Sequence, residues 1–118
     1  MTIVSTVLAA MLTMEFLSFG AAKTLALGPM RERAARLGYS TAAYRGIGAL
    51  EIAGASGLLI GLARPPIGIA AGIGLALLMT GAVVAHVRNG DAMAEYAPAV
   101  VTGLVTLGYL AALAGVSP

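Results

Sequence analysis

Four apolar runs, each about 20 residues long, take up almost the whole chain. At about 1.5 Å of rise per residue, a helix of that length crosses a hydrocarbon core of about 30 Å. The composition agrees, because 59% of the 118 residues are hydrophobic and only 10% are charged. We therefore predict an all-α integral membrane four-helix bundle, in which residues 1–118 form one domain with spans at about 2–22, 43–63, 67–87 and 97–116.

The basic residues lie at the ends of the apolar runs, where positive charge orients helices in a membrane. Arg64 falls on the side of the connection between spans 2 and 3, and all the others fall on the opposite side. Those others are Lys23, Arg31, Arg33, Arg36, Arg45 and Arg88. This bias predicts both termini on the outer side, and it favours contacts of Arg31, Arg33 and Arg36 with membrane lipids over any binding of nucleic acid.

The connections between the runs carry turn signals. Residues 30–37 can form two amphipathic turns on the membrane surface, and Gly38 is suited to end them. Ser40 or Thr41 can then cap span 2. Arg64-Pro65-Pro66 is expected to end that span, and Pro98 is expected in the first turn of span 4. Small residues at Gly57/Gly61 and Gly68/Gly72 predict close packing of spans 2 and 3.

Three ionisable residues interrupt the apolar runs: Glu15, Glu51 and His86. Such groups are costly inside a membrane, and they are retained where they face the interior of the protein and have a partner or a function. Glu15 lies eight residues before Lys23 and Glu51 six after Arg45, so both carboxylates lie about 9–12 Å inside the cytoplasmic boundary. We predict an internal polar site in which Glu15, Glu51 and His86 are the catalytic acid and base groups.

Each of these residues also has a structural interpretation. Glu51 can instead fix helix packing through Arg45, Lys23 or a facing hydroxyl, and His86 can be an interfacial residue near a helix C-terminus. Lys23 and Arg45 are expected either to extend towards the interface or to pair with the glutamates, and Tyr44 can donate a hydrogen bond into the site. One histidine and two glutamates on three helices do not form a known metal motif, so no metal site is predicted.

The order and spacing of short motifs resemble the DoxX-like family of small four-helix bacterial membrane proteins. The motifs are Phe19-Gly20…Lys23, Leu37-Gly38-Tyr39, Tyr44-Arg45-Gly46-Ile47-Gly48…Glu51…Gly54-Ala55…Gly57 and Met79…Gly81-Ala82-Val83…His86…Arg88…Gly90-Asp91. The resemblance implies a multi-pass protein of the bacterial cytoplasmic (inner) membrane. It also implies recurring polar positions at Lys23, Arg45, Glu51, His86 and Arg88, whereas Glu15 is not a dependable part of the family pattern. We expect Lys23, Tyr44, Arg45 and Arg88 to bind substrate.

Three functions fit these features. The first is acid–base chemistry on a lipophilic small molecule, such as isomerisation, epoxide opening or cyclisation, and it requires no cofactor. The second, which the resemblance implies, is a membrane subunit or anchor of a quinone-linked oxidoreductase, with a soluble oxidoreductase as partner and a quinone as the cofactor. The third is proton-coupled transport of the small multidrug exporter type. We also expect a homo-oligomer, because four thin spans leave little room for a cavity inside one protomer.

Overall fold

A computed structural model describes residues 2–115, which form five α-helices and no strand. The helices are α1 (Ile3–Thr24), α2 (Gly28–Arg36), α3 (Thr41–Ile60), α4 (Pro65–Arg88) and α5 (Met93–Leu113). The all-α prediction is confirmed. The four long helices correspond to the predicted spans, and α2 is a short additional helix in the segment where two amphipathic turns are predicted. Val116, the last residue of the predicted fourth span, lies outside the described residues.

Prolines mark two differences from the predicted boundaries. Pro65 and Pro66 begin α4 and do not end the preceding span, because the first residues of a helix need no N–H donor within the helix. The preceding helix, α3, already ends at Ile60. At the other site, α5 begins at Met93, so Pro98 lies inside the helix and not in its first turn. Pro98 therefore cannot donate the usual helical hydrogen bond to the Ala94 carbonyl.

Helices α1, α2 and α4 end in the same type of turn, with a residue in the left-handed region two positions beyond the last helical residue. The residues are Ala26 (φ 52°) after α1, Gly38 (φ 83°) after α2 and Gly90 (φ 75°) after α4. In each turn the next residue donates its backbone N–H to a carbonyl of the last helical turn, as Asp91 does to His86 at 3.0 Å. Ser40 caps the start of α3 by accepting a hydrogen bond from the Ala43 backbone at 3.0 Å.

The long helices pack in a ring in the order α1, α3, α4, α5 and back to α1, with the most extensive contact between α1 and α3. The apolar core at their centre consists of Ala9, Leu12, Phe16, Ala55, Leu58, Leu75, Met79 and Tyr109. Near the α3–α4 turn, a Cβ on Gly61 would lie 2.6 Å from the Gly68 Cα, so the predicted close packing of small residues occurs here. Gly72 instead packs against Leu110 of α5.

Helices α1, α4 and α5 are long and apolar enough to cross a membrane. Helix α3 has 20 residues, but Arg45 and Glu51 lower its hydropathy. Large apolar side chains point outward on the long helices, including Met14 (72% exposed) and Leu77 (68% exposed). An extended apolar outer surface of this kind is typical of a protein that faces lipid.

Candidate functional site

A cavity of about 350 Å³ lies among all five helices, at the end where the α1–α2 and α4–α5 connections meet. Five of the predicted site residues line it: Glu15, Lys23, Tyr44, Glu51 and His86. Helical periodicity explains the convergence, because the lining positions on each long helix lie on one face. They are Glu15, Phe16, Phe19 and Lys23 on α1, and Tyr44, Ile47 and Glu51 on α3.

The wall formed by α1 and α3 depends on two glycines. A Cβ on Gly48 would lie 2.7 Å from the Gly20 carbonyl oxygen, and a Cβ on Gly20 would lie 2.9 Å from the Gly48 carbonyl oxygen. Real Cβ atoms essentially never approach other atoms so closely, so a larger residue at either position would push the helices apart. The two backbones therefore meet directly at a point between Glu15 and Lys23 along α1.

This close approach brings the Lys23 ammonium onto the Glu51 carboxylate, and the two form an ion pair. The Glu51 side chain is 2% exposed and the Lys23 side chain 13%. The ammonium also lies 5.2 Å from the centre of the Tyr44 ring, within range of a cation–π interaction. The ammonium compensates the charge of the buried Glu51 carboxylate. Of the two alternatives for Lys23 that the sequence leaves open, the structure contains pairing with a glutamate.

Glu15 has a different environment. Its carboxylate accepts a hydrogen bond from the Thr102 hydroxyl of α5 at 2.5 Å, and it forms no ion pair within residues 2–115. It lines the same cavity as Glu51. Thr102 was not among the predicted site residues. A signal for it exists in the sequence, because Thr102, Thr106 and Tyr109 place hydroxyls at helical spacing on the buried face of α5.

His86 is paired with a residue that the sequence analysis did not select. The turn after α4 folds Asp91 back onto the last helical turn, and the His86 Nδ1 and an Asp91 carboxylate oxygen lie 2.6 Å apart. The Asn89 amide donates to the other oxygen at 2.9 Å. Hydrogen bonding to His86 lowers the pKa of Asp91, so this carboxyl is ionised at neutral pH and accepts a hydrogen bond from Nδ1–H. The other ring nitrogen, Nε2, is left for the cavity.

Family membership rests on nearly the whole chain. The family model of the DoxX-like family matches residues 7–113. The chain belongs to the DoxX-like family. The resemblance drawn from the motifs is thus confirmed, and together with the apolar helices it makes this DoxX-like chain a membrane protein. No curated protein and no solved structure matches it significantly.

Two predicted substrate-binding residues of this DoxX-like protein lie away from the cavity wall. Arg45 follows Tyr44 on α3 and therefore points about 100° away around the helix, where its Nε donates to the Thr24 carbonyl at 2.9 Å. This hydrogen bond satisfies a carbonyl at the C-terminus of α1. Arg88 is exposed at the end of α4. The structure does not bring either guanidinium together with Glu15, Glu51 and His86.

A single DoxX-like chain has room for this cavity, so the reason given for a homo-oligomer is wrong. The homo-oligomer itself stays a prediction. Within residues 2–115, no group of three or more His, Asp or Glu side chains is arranged to hold a metal ion. The polar chemistry available to a ligand therefore comes from Glu15, His86, the Lys23–Glu51 pair and the hydroxyl and guanidinium groups around them.

Proposed function

We propose that this DoxX-like protein binds a lipophilic small molecule in the cavity and transforms it by acid–base chemistry at Glu15 and His86. The observation that carries the proposal is that two ionisable side chains with different hydrogen-bond partners lie on an otherwise largely apolar cavity wall. In the described part of the chain, Glu15 is hydrogen-bonded only to the Thr102 hydroxyl, whereas His86 is hydrogen-bonded to the Asp91 carboxylate. A cavity of about 350 Å³ lies in the range of small-molecule sites, which are mostly apolar with a few converging polar groups.

Glu15 is suited to exchange a proton with the ligand. No cation neutralises it in the described part of the chain, and it shares its apolar wall with Phe16, Leu78 and Met79. A general base must lie within hydrogen-bond reach of the proton it removes, and Glu15 lines the same cavity as these apolar side chains. The Thr102 hydroxyl orients one carboxylate oxygen and leaves the other for the ligand.

His86 supplies the complementary group. A carboxylate on Nδ1 fixes the ring and stabilises an imidazolium, which donates its Nε2 proton to one position of the ligand while Glu15 removes a proton from another. A base at Glu15 and a histidine at the cavity edge can move a proton between two positions of one bound molecule. This chemistry serves isomerisation, epoxide opening and cyclisation alike.

Glu51 acts through Lys23 in this proposal. The ion pair holds the Lys23 ammonium at the wall beside Tyr44, where it stabilises negative charge that develops on the ligand. Glu51 is thereby a positioning residue, and Glu15 is the catalytic carboxylate.

The protein is proposed to be a multi-pass protein of the bacterial inner membrane, with α3 as a fourth span and both termini on the outer side. Support comes from the distribution of charge. Arg45 contacts the end of α1, Arg36 contacts Glu95 at the start of α5, and Lys23 and Arg33 line the same cavity. These basic residues thus gather at one end of the helices, which corresponds to the cytoplasmic side.

Deuterium incorporation tests the acid–base proposal. The full-length protein, reconstituted in liposomes, is incubated in D₂O with a lipophilic extract of bacterial membranes, and the extract is analysed by mass spectrometry. We expect at least one compound to gain deuterium or to change its mass or retention time. General acid–base groups contribute about 10²–10⁴-fold to a rate, so Glu15→Gln should slow this change by at least about 100-fold.

The matched control is Glu32→Gln, which removes an exposed glutamate of α2 and should leave the rate unchanged. His86→Asn should slow the reaction, while Asp91→Asn should give a smaller loss and alter its pH profile. A Glu15→Gln protein as active as wild type would contradict the proposal. A compound that binds but is never altered would also contradict it, and would favour the transport or anchor functions.

A further inference from the structure

Among residues 2–115, one cation on the cavity wall has no carboxylate partner. Lys23 pairs with Glu51, Arg36 with Glu95, and His86 with Asp91. Arg33 also lines the cavity, but it forms no ion pair within residues 2–115. It shares the cavity wall with Tyr39 and Tyr44, whose ring centres lie 6.1 Å apart.

Arg33 faces the protein because of its position on α2. Met30, Arg33, Ala34 and Leu37 follow the spacing of one helical face. Met30 and Ala34 are buried in a cluster with Tyr44, so this face packs on α3. The exposed Arg31 and Arg36 lie on other faces, where contact with lipid headgroups is expected. Only Arg33 of the three places its charge on the cavity wall.

The cavity therefore has two chemically different ends. One end is formed by Arg33, Tyr39 and Tyr44, where α2 packs on α3. The other end carries Glu15, which lies eight residues from Lys23 on α1 and hence about 12 Å along the helix. Apolar side chains, together with the Lys23–Glu51 pair, line the rest of the cavity. A ligand that matches both ends has an anionic head, an apolar body and a proton-exchanging centre towards the end away from the head.

We propose that Arg33 and the adjacent tyrosine hydroxyls form a subsite for an oxyanion head, so that the ligand is an anionic amphiphile such as a lipophilic carboxylate or phosphate. The proposal rests on the proposed function and narrows its substrate class. A guanidinium binds either head through two parallel N–H donors, and it does so more strongly where water is excluded. A water molecule takes up roughly 30 Å³ of liquid, so the cavity of about 350 Å³ has room for about a dozen molecules of that size, or for a ligand with about as many non-hydrogen atoms.

The entrance to this subsite lies between α2 and α5. The two helices make no backbone contact, and the exposed Arg36–Glu95 ion pair (3.1 Å) is the only hydrogen bond or ion pair between them in the described structure. Arg33 and Glu95 line the cavity from the two sides of this gap. An amphiphile that enters here keeps its head near the membrane surface while its tail reaches towards Glu15.

Binding of decanoate, which has twelve non-hydrogen atoms, tests the subsite. The full-length protein is placed in nanodiscs of neutral phosphatidylcholine, and tritiated decanoate is measured by scintillation proximity with empty nanodiscs subtracted. Decyl phosphate, decanol and decyltrimethylammonium serve as competitors. We expect decanoate or decyl phosphate to compete at least about tenfold better than decanol or the ammonium compound. Whichever of the two anions competes better shows whether the subsite prefers a carboxylate or a phosphate head.

Arg33→Gln should weaken decanoate binding at least about tenfold and leave competition by decanol within about twofold of wild type. The matched control is Arg31→Gln, which removes an exposed charge two residues away and should change neither. If Arg33→Gln does not fold, Arg33→Lys keeps the charge and should retain a preference for decanoate over decanol. The subsite proposal would be overturned if Arg33→Gln and Arg31→Gln weakened decanoate binding equally. It would also be overturned if decanol bound as tightly as decanoate to the wild-type protein or to Arg33→Lys.

Failure of the subsite and failure of the proposed function give different results. Glu15→Gln should bind decanoate as wild type does while losing the deuterium reaction. If Arg33→Gln keeps decanoate binding while Glu15→Gln loses the reaction, only the subsite is wrong. If Glu15→Gln keeps the reaction, the acid–base proposal is wrong and the binding result for Arg33 still stands.

Discussion

Replacing Lys23 by methionine removes the ammonium that faces Glu51 and leaves a carboxylate that is 2% exposed between α1 and α3. Breaking a buried ion pair from one side destabilises a protein by about 3–5 kcal/mol. Protonation of Glu51 limits the loss of stability, because a glutamate with an ordinary pKa of about 4.3 can be neutralised at pH 7 for about 3.7 kcal/mol, at about 1.36 kcal/mol for each pH unit. We therefore expect Lys23→Met to lower the free energy of unfolding by about 3–4 kcal/mol at pH 7 and by only about 1 kcal/mol at pH 5.

The assay is reversible unfolding of the purified protein in mixed micelles, at both pH values. The control is the double variant Lys23→Met/Glu51→Gln, in which no charge is left buried, so it should regain most of the stability at pH 7 and show little difference between the two pH values. A loss in Lys23→Met below about 1 kcal/mol at pH 7, or a double variant as unstable as Lys23→Met, would refute the buried-pair interpretation.

Three further predictions concern stability. Gly48→Ala should destabilise the protein by about 1–3 kcal/mol, because the new Cβ would meet the facing carbonyl of α1. The control is Gly46→Ala, whose Cβ would have no neighbour within 4 Å and should not destabilise the protein. Thermal unfolding of the two variants tests this difference. Ala26→Gly should raise the midpoint of thermal unfolding, because it relieves the strain of about 1 kcal/mol that an alanine has in the left-handed region. An unchanged midpoint would contradict this. The hydrogen bond to His86 lowers the pKa of Asp91, so the pair stabilises the fold above about pH 4 and this stabilisation is lost as the pH falls through the lowered pKa. The midpoint should therefore drop more between about pH 5 and pH 2.5 in wild type than in Asp91→Asn, and equal drops would argue against the pair.

The long helices could be predicted from the sequence because their apolar runs are long and clearly bounded. Local signals such as Ser40 and Gly38 also fixed the start of α3 and the end of α2. The prolines were harder to place, since a proline is compatible both with the first turn of a helix and with the end of the preceding segment. Pro98 lies inside α5 because the helix starts earlier, in a polar segment that hydropathy does not mark as part of a span.

The candidate site could be predicted only in part, because ionisable residues in apolar runs are visible in a sequence and their partners are not. Glu15, Glu51 and His86 stand out in this way, and all three line the cavity. Their partners depend on tertiary contacts, such as Thr102 across the α1–α5 interface. The sequence alone does not distinguish Arg33 from Arg31 and Arg36, because the difference depends on which face of α2 is buried.

The central claim is that the cavity holds a lipophilic ligand, and occupancy measures it most directly. Ala82 lines the cavity, and a phenyl ring requires about 150 Å³, so Ala82→Phe would fill much of the available space. Ala70→Phe adds the same ring on the exposed face of the same helix and serves as the control. Each protein is purified gently, and its lipophilic compounds are extracted and identified by mass spectrometry. We predict a discrete compound in wild type and Ala70→Phe that is lost in Ala82→Phe, whereas identical lipid profiles in all three proteins would contradict the account.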